Sequence, residues 1–417
     1  MKLGILIVGT EIITGRTQDI NGSFIARTAH QQGWEVVAIL SVGDSFEAIA
    51  AGLDFLLPRS EAVVVTGGLG PTADDITTEA IAKFLGRKLI LDDDALALIK
   101  ERMRQRGRPW SSNNEKQALF PTEAHKLKNT VGTAWGFALW EREKIIAVIP
   151  GVPAEARQMF LEEVVPLLKR AFPSNDYVLT KVIKLSGISE SLVDQRLADI
   201  DLMGLSLGYY PRFPELQLVL TARGKELNHL QEKVANALKK ITEKLKDYIF
   251  AYDDETLEGI VAHLLQERKL TIALAESLTG GLIGDRLTDV PGSSTFFERG
   301  IIAYSNRAKI ELLSVPPAVI NEYGAVSRET AIYMAKGIRT LANTDLGLAV
   351  TGIAGPTGGS EIKPVGTVYI ALSDETDTYC THFHFPWERR RNKILTSQWA
   401  LLILKRYLTE GLSHESS

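Results

Sequence analysis

AESLTGG, from Ala275 to Gly281, ends an apolar β-type run and leads into a predicted helix. Two further stretches have the same form: YSNRAK (Tyr304 to Lys309) and VTGIAGPTGG (Val350 to Gly359). Each places small or hydroxylated residues on a turn at a strand end. The carboxyl ends of parallel strands meet at one edge of a sheet, and α/β domains build their pockets there. These stretches therefore predict an α/β fold with a pocket in the C-terminal part of the chain.

Composition limits the possible classes of protein. The chain has 417 residues, of which 45% are apolar and 24% charged, as expected for two to four ordinary globular domains. Its net charge of −4 argues against a general nucleic-acid binder, which needs a basic surface. The single cysteine, Cys380, excludes an internal disulfide and a cysteine-rich zinc site.

The N-terminal sequence MKLGILIVG lacks the features of a signal peptide and is interpreted as a first strand. No apolar run approaches the roughly 20 residues of a membrane-spanning helix. The expected setting is the cytoplasm, with no membrane and no nucleic-acid partner.

The pattern of strands and helices predicts three regions. Residues 1–172 alternate apolar strands with helices, which is typical of a parallel sheet covered on both faces. Residues 253–417 again predict an α/β unit. Residues 173–252 instead predict a small α+β unit, with a boundary at PSND, positions 173–176.

Three glycine-bearing loops follow predicted strands in the first region: GTEIITG, TGGLGPTADDIT and PGVPAE. Glycines let backbone amides approach a ligand closely, and successive amides form an anion nest suited to phosphate. The predicted substrate-binding residues of these loops are Glu11, Thr66, Gly67, Gly68, Gly70, Thr72, Gly151 and Glu155.

Asp74 and Asp75 directly follow the central loop. Paired oxygen ligands beside a phosphate nest suit a divalent cation, and Glu11 could add a ligand or act as a base. The structural alternative is that an Asp-Asp pair before a helix serves only as its N-cap.

The sequence TGGLGPTADDITTEAIA resembles the signature of the N-terminal domain of the CinA family, and the other two loops match as well. That domain is similar to the molybdopterin-binding fold of MoaB and MogA. The resemblance implies hydrolysis of ADP-ribose to AMP and ribose 5-phosphate with a divalent metal. A molybdopterin-like ligand is the alternative, although Leu69 stands where that family has threonine.

The middle region shows no catalytic constellation. An RNA-binding KH module needs a GxxG loop, and only one glycine is present in GIS, positions 187–189. The region resembles the KH-like connecting domain of CinA proteins, which implies spacing and dimerisation. The aromatic stretch GYYPRFPE (Gly208 to Glu215) fits either an interface loop or a plain turn.

The C-terminal pocket offers a serine and a lysine for amide hydrolysis. Histidine is the usual base for a serine nucleophile, but no histidine is adjacent in sequence to the serine-bearing loop. A lysine can replace it if burial lowers its pKa. Ser277 and Lys309 therefore form a candidate pair, with Tyr304 as proton relay. The alternative is an N-capping Ser277 and a solvated Lys309.

Groups that could bind phosphate or stabilise an oxyanion surround this pair. The predicted substrate-binding set is Thr279, Gly280, Gly281, Gly352 and Gly355, and the Thr351 hydroxyl is a candidate for the same chemistry within the catalytic set.

AESLTGG, GSSTFFERGIIAYSNRAK and VTGIAGPTGG closely resemble the C-terminal domain of the CinA family. The resemblance implies a nicotinamide-mononucleotide deamidase without a metal, with Ser277 as nucleophile, Lys309 as base and supporting roles for Tyr304 and Thr351. The family's glycine-containing arginine segment reads PWERRRNK here, with Trp387 in the usual glycine position. Arg389 then belongs to the catalytic set, as the arginine that binds either the phosphate or the carboxamide of the substrate.

Together these features predict a cytoplasmic, homodimeric hydrolase acting on two fragments of NAD. The competing hypotheses are a non-enzymatic ligand-binding or scaffold protein linked to competence, and a chain with only one active site.

Overall fold

The computed structural model describes residues 1–107, 109–173 and 176–411. Two residues of the predicted PSND boundary, 174 and 175, lie outside this description. The chain divides into two compact units: Met1–Thr180 with Ala222–Lys233, and Lys181–Thr221 with the chain from Val234 onward. The predicted division into regions 1–172, 173–252 and 253–417 stays a prediction.

The N-terminal region is a mixed α/β layer structure. Its sheet has the order β2-β1-β3-β8-β7-β6, in which β2, β1, β3 and β8 are parallel. Its strands and helices are β1 (Lys2–Val8), α1 (Thr10–Ile13), α2 (Asn21–Gln31), β2 (Glu35–Val42), α3 (Phe46–Leu56), β3 (Ala62–Thr66), α4 (Thr77–Phe84), β4 (Leu89–Leu91), α5 (Asp93–Gln105), β5 (Leu119–Pro121), β6 (His125–Leu127), β7 (Gly136–Glu141), β8 (Lys144–Ile149), α6 (Pro153–Met159) and α7 (Val165–Ala171).

The sequence did not predict the antiparallel edge formed by β6 and β7. Only Arg142 and Glu143 separate β7 from β8, and so short a connection can join only antiparallel strands. The predicted sheet of buried parallel strands is confirmed for β1, β3 and β8 together with the more exposed β2.

Two cores cover the two faces of this sheet. Successive residues of a strand point to opposite faces. Ile5 accordingly packs into one core with Ile25 of α2, whereas Leu6 packs into the other with Leu53 of α3. Because both faces are covered by helices, the carboxyl ends of the parallel strands are left to carry the loops of the site.

The middle region has a four-stranded sheet of order β10-β11-β9-β12 with one apolar core. Its long helix buries Ala237 and Ile241 in that core. The strands and helices are β9 (Tyr177–Leu185), α8 (Glu190–Leu197), β10 (Ser206–Arg212), β11 (Glu215–Gly224), α9 (Leu227–Leu245) and β12 (Ile249–Tyr252).

The C-terminal region repeats the α/β plan. Its sheet has the order β14-β13-β15-β16-β17, with β14, β13 and β15 parallel and the last two antiparallel. The elements are α10 (Leu257–Arg268), β13 (Ile272–Glu276), α11 (Leu282–Thr288), β14 (Phe297–Ile302), α12 (Asn306–Leu313), α13 (Pro317–Tyr323), α14 (Arg328–Ala342), β15 (Leu346–Gly352), β16 (Thr367–Ser373), β17 (Thr378–His384) and α15 (Arg389–Glu410).

The predicted strand TIALAES is confirmed as β13, which is buried throughout. Leu274 faces one core of the domain and Ala275 the other. The described part of the chain contains no helix long and apolar enough to cross a membrane.

Candidate active sites

The C-terminal region brings Ser277 and Lys309 together. Ser277 follows β13, and its backbone N–H donates to the carbonyl of Val350 on the neighbouring strand at 3.1 Å. The Lys309 Nζ lies 3.1 Å from the Ser277 Oγ. Lys309 is only 2% exposed and Ser277 only 7% exposed. The alternative of a solvated Lys309 is therefore wrong.

Burial changes the proton affinity of this lysine. It lowers the pKa of Lys309 to about 8, because the low-dielectric surroundings disfavour the ammonium form. The Lys309 Nζ also donates to the carbonyl of Ala303 at 2.8 Å. That bond directs the lone pair of the neutral amine away from Ala303 and leaves it available to the Ser277 hydroxyl.

The helix that carries Lys309 begins at a side-chain cap. The Ser305 Oγ accepts from the N–H of Ala308 at 3.1 Å, which fixes the first turn of α12. Lys309 follows in that helix and points into the core, where its amine meets Ser277. The cap serine of the YSNRAK motif therefore positions the base.

The amides of Gly280 and Gly281 were predicted to bind the substrate, and the structure corrects this. The Gly280 N–H donates to the carbonyl of Ser277 at 3.2 Å. The Gly281 N–H donates to Glu276 at 3.0 Å. Both glycines have positive φ, so their role is to shape the turn.

Glu276 is a structural residue that the sequence reading missed. Its buried carboxylate accepts from Gly281, from Ile283 at 3.2 Å and from Gly284 at 2.9 Å. It thereby binds the amides at the start of α11, which the residues preceding a helix ordinarily do. The sequence signal was a glutamate inside an otherwise apolar strand, one residue before the serine.

Leu278 and Thr279 carry the polar groups of this turn that are available to bind a ligand, namely two backbone N–H groups and one hydroxyl. Within the described residues, neither backbone N–H has a hydrogen-bond partner. The Thr279 hydroxyl also lacks one, although the residue is completely buried. Buried donors without partners are uncommon in folded proteins and suggest a ligand-binding role. The structure thus keeps Thr279 in the candidate site and adds the Leu278 amide.

Arg389 and Tyr304 are brought together at the site. Arg389 donates to the Tyr304 hydroxyl at 2.7 Å and to the Gly355 carbonyl at 2.9 Å. The buried Asn392 donates to the carbonyl of Ala354 at 3.1 Å, which holds the same loop against α15. Tyr304 is 58% exposed and contacts Arg389 rather than Lys309, so its predicted role as a proton relay has no contact to support it.

Thr351 and Gly352 occupy the end of β15. Thr351 is fully buried, and its hydroxyl donates to the carbonyl of Ala325 at 2.7 Å. A Cβ on Gly352 would lie 2.7 Å from the carbonyl of Thr367 on β16. Both residues therefore have structural contacts, and their predicted catalytic and substrate-binding roles stay predictions.

The three N-terminal loops converge on one cleft of about 370 Å³ at the carboxyl ends of β1, β3 and β8. Predicted residues of all three loops line it, namely Glu11, Gly67, Gly68, Gly70, Asp74, Asp75, Gly151 and Glu155.

Close backbone contacts explain the glycines of the central loop. A Cβ on Gly67 would lie 2.0 Å from the carbonyl of Val8, and one on Gly68 would lie 2.1 Å from the hydroxyl of Thr77. The contact of Gly151 with Gly67 is less tight, since a Cβ on Gly151 would lie 3.1 Å from the Gly67 Cα. Larger residues at these positions would separate the loops.

Thr72 lies outside the lining and organises the acidic pair. The Asp75 carboxylate accepts from the Thr72 N–H at 2.8 Å, and the Thr72 hydroxyl reaches both Asp74 and Asp75. The hydrogen bond from Thr72 also lowers the pKa of Asp74, which keeps this exposed carboxyl ionised. Thr72 therefore holds the two acids in place, and its predicted contact with substrate stays a prediction.

The sequence analysis did not predict two further residues, one that lines the cleft and one that holds a residue of its lining. Asp44 follows β2, lines the cleft and accepts from the N–H of Thr10 at 2.7 Å. Asn129 is buried and donates to Glu155 at 2.6 Å. Thr66, predicted to bind substrate, is instead buried and donates to the carbonyl of Pro150 at 2.8 Å.

The cleft is strongly acidic. Among the described residues that line it are five carboxylates, namely Glu11, Asp44, Asp74, Asp75 and Glu155, and no lysine or arginine.

Across residues 1–107, 109–173 and 176–411, no group of three or more His, Cys, Asp or Glu side chains is placed to hold a metal ion. Asp74 and Asp75 fit a cation that takes its other ligands from phosphate oxygens and water. The buried Thr77 hydroxyl, which has no partner, lies directly against Gly68 at the same loop. The metal itself stays a prediction.

The fold and sites define the class of a multidomain α/β protein with a KH-like region between two α/β regions. Three family models match the chain: the probable molybdopterin binding domain at residues 4–170, the damage-inducible protein CinA KH domain at 180–251, and the CinA C-terminal domain at 254–408. The chain belongs to the CinA family.

Relatives match over nearly the whole chain. A CinA-like protein from Syntrophus aciditrophicus (strain SB) is 55% identical over 415 residues, covering 99% of each chain. A CinA-like protein from Geobacter sulfurreducens is 43% identical, covering 98% of this chain and 99% of its own.

A solved structure matches a smaller part of the chain. The crystal structure of competence/damage inducible protein CihA from Agrobacterium tumefaciens is 36% identical, with a TM-score of 0.34, covering 36% of this chain and 93% of its own.

Proposed function

We propose that the C-terminal region hydrolyses the carboxamide of nicotinamide mononucleotide to the acid and ammonia, and that the N-terminal region hydrolyses ADP-ribose to AMP and ribose 5-phosphate. The observation that carries the first activity is the buried contact of 3.1 Å between the Lys309 Nζ and the Ser277 Oγ. A lysine with a pKa of about 8 is neutral in roughly a tenth of molecules at pH 7. It can therefore act as a general base at physiological pH.

The chemistry follows from this pair. Neutral Lys309 takes the proton of the Ser277 hydroxyl as Oγ bonds to the carboxamide carbon. The resulting ammonium gives that proton to the departing amide nitrogen, which leaves as ammonia when the C–N bond breaks. Water then attacks the serine ester, Lys309 accepts its proton and returns a proton to Ser277, and the acid is released.

The turn after Ser277 provides the donors for the oxyanion. The amides of Leu278 and Thr279 have no partner among the described residues and directly follow the nucleophile. Such donors stabilise the charge that develops on the carbonyl oxygen, and losing one typically costs about a hundredfold or more in rate.

Cationic groups of α15 favour a phosphorylated substrate. Arg389 lies at the Gly355 loop, and the Lys393 ammonium would lie 3.5 Å from a Cβ built on Gly280. These charges suit a phosphate monoester, whereas the Ser277–Lys309 pair itself carries no fixed charge in its active form.

The acidic cleft supports the N-terminal activity. Five carboxylates around a diphosphate would repel it, so binding requires cations between protein and substrate. A divalent metal held by Asp74 and Asp75 would neutralise the diphosphate and polarise its phosphorus centre. The glycines of the central loop leave room for the phosphate oxygens, and Glu11 and Glu155 are available to accept a proton from water.

The test is product formation by the purified full-length chain with and without EDTA. We expect ammonia from nicotinamide mononucleotide in both conditions, and AMP from ADP-ribose only without EDTA. Absence of both products would favour the ligand-binding or scaffold alternative. Equal EDTA sensitivity of both reactions would contradict the assignment of the metal to one site.

A further inference from the structure

The tip of the hairpin formed by β10 and β11 contacts the first turn of α15, the helix that carries Arg389. Only Phe213 and Pro214 separate the two strands. The Phe213 ring lies 5.1 Å from the guanidinium carbon of Arg391, and the Trp387 ring lies 5.2 Å from the same carbon. An arginine is attracted to the face of each ring by the ring's quadrupole. One arginine at the start of α15 therefore contacts two aromatic rings.

Arg391 belongs to a braced first turn. Its N–H donates to the Glu388 carboxylate at 2.9 Å, and Glu388 caps α15. Asn392 donates to the Trp387 carbonyl at 2.8 Å and accepts from the Trp387 N–H at 3.2 Å. These hydrogen bonds link residues 387–392 to one another, so a shift of Arg391 or Trp387 would displace the whole turn.

The same turn carries Arg389. Its guanidinium binds the Tyr304 hydroxyl and the carbonyl of Gly355. These two residues follow β14 and β15, the strands on either side of β13, which ends just before Ser277. Arg389 and Arg391 are two residues apart, so they project from different sides of the helix start. One side meets the candidate site and the other meets the hairpin tip.

Stability alone gives little reason for the tip contact. Phe213 is 43% exposed, and the middle region has its own core of buried residues, including Leu218 and Ile241. A half-exposed ring on an exposed arginine adds little to either core. Its distinctive property is its place beside the turn that carries Arg389.

We propose that Phe213 is a positioning residue for the C-terminal site: it orients the first turn of α15 through Arg391 and so sets how Arg389 binds the phosphate of a nucleotide substrate. Trp387 supplies the second ring of this contact. The proposal rests on the proposed deamidation. It also assigns the GYYPRFPE stretch a contact within the chain.

The test compares Phe213→Ala with Phe213→Tyr in the full chain, using nicotinamide mononucleotide. We expect Phe213→Ala to raise KM about three- to tenfold, with kcat within about twofold of the wild type and the pH midpoint unchanged. Phe213→Tyr keeps an aromatic face and should restore KM. Tyr210→Ala is the matched control, because Tyr210 is an exposed aromatic residue of the same hairpin.

A double variant shows whether the effect passes through Arg389. Phe213→Ala should add nothing to the KM of Arg389→Ala, since the residue that it positions is already gone. Additive effects of the two substitutions would overturn the proposal, as would an unchanged KM in Phe213→Ala or a loss confined to kcat.

A binding measurement separates this proposal from the proposed activity. If the wild type releases no ammonia, deamidation fails, and calorimetry with nicotinate mononucleotide takes the place of KM. The same pattern among the variants would then support the positioning role. Absence of binding to the wild type, or equal affinities of wild type and Phe213→Ala, would overturn it.

Discussion

The two candidate sites lie at equivalent places, the carboxyl ends of parallel strands, but they treat charge in opposite ways. The C-terminal site buries Ser277 and Lys309 and uses desolvation to lower the pKa of a base. The N-terminal cleft keeps five carboxylates around an open space. A buried site can lower the pKa of its own base by desolvation. An accessible cleft lined by carboxylates needs cations from solution to bind an anionic substrate.

The largest expected effect tests the buried C-terminal site. Ser277→Ala should lower ammonia release from nicotinamide mononucleotide by about 10³-fold or more, because the nucleophile is lost while the fold keeps its core. AMP release from ADP-ribose should not change. Ser294→Ala, at an exposed serine of the same region, is the control and should retain both activities. Full deamidation by Ser277→Ala would remove the serine mechanism.

The next effect tests the acidic cleft. Asp74→Asn keeps the shape of an exposed side chain and removes one charge, so cleavage of ADP-ribose should fall by about a hundredfold. The metal concentration for half-maximal rate should rise, and deamidation should stay constant. Asp93→Asn, an exposed acid at the start of α5, serves as the control. Equal losses in both variants would show only a general charge effect.

The rates of the two reactions should depend differently on pH. From pH 7 to the plateau above pH 8, the deamidation rate should rise by about tenfold relative to the rate of ADP-ribose cleavage. Deamidation needs neutral Lys309, so its rate should rise with pH through about 8 and level off above it. Cleavage of ADP-ribose has no such base and should show no midpoint near 8. Rate profiles for both substrates from pH 6 to 10, on one preparation, make the comparison. A deamidation rate that falls across this range would contradict a lysine base.

The smallest expected effect concerns Thr279. Thr279→Val removes a buried hydroxyl that has no partner, which should stabilise the folded chain by up to about 1 kcal/mol. If that hydroxyl contacts the substrate, deamidation should fall several-fold at the same time. Thermal unfolding and kcat/KM measured together therefore distinguish a binding role from a packing role. A stabilised variant with undiminished activity would exclude Thr279 from binding.

Sequence patterns predicted the strand ends better than the side chains that use them. The buried strands β3 and β13 read as continuous apolar runs, so their ends and the loops that follow were predictable. Whether a threonine at such an end faces a cleft or a carbonyl depends on register with neighbouring strands. Thr66 and Thr351 both proved to bind backbone carbonyls.

Residues that act from a distance in sequence were not predictable. Asn129 reaches Glu155 across 26 positions, and Asp44 meets Thr10 across 34. Neither lies in a motif whose composition suggests a ligand. Lys309 was predictable as a base only in outline, because its pKa depends on burial that a helical pattern does not report.

Glu276 and Ser277 are consecutive, yet one builds the turn and the other faces Lys309. At a strand end, neighbouring side chains point in opposite directions, so these two roles are assigned by parity along β13. Insertion or deletion of a single residue in this strand would exchange the two side chains. This segment therefore tolerates neither a change of length nor a change of these two residues. Transfer of the site to another protein would require β13, the turn and α11 as one uninterrupted segment.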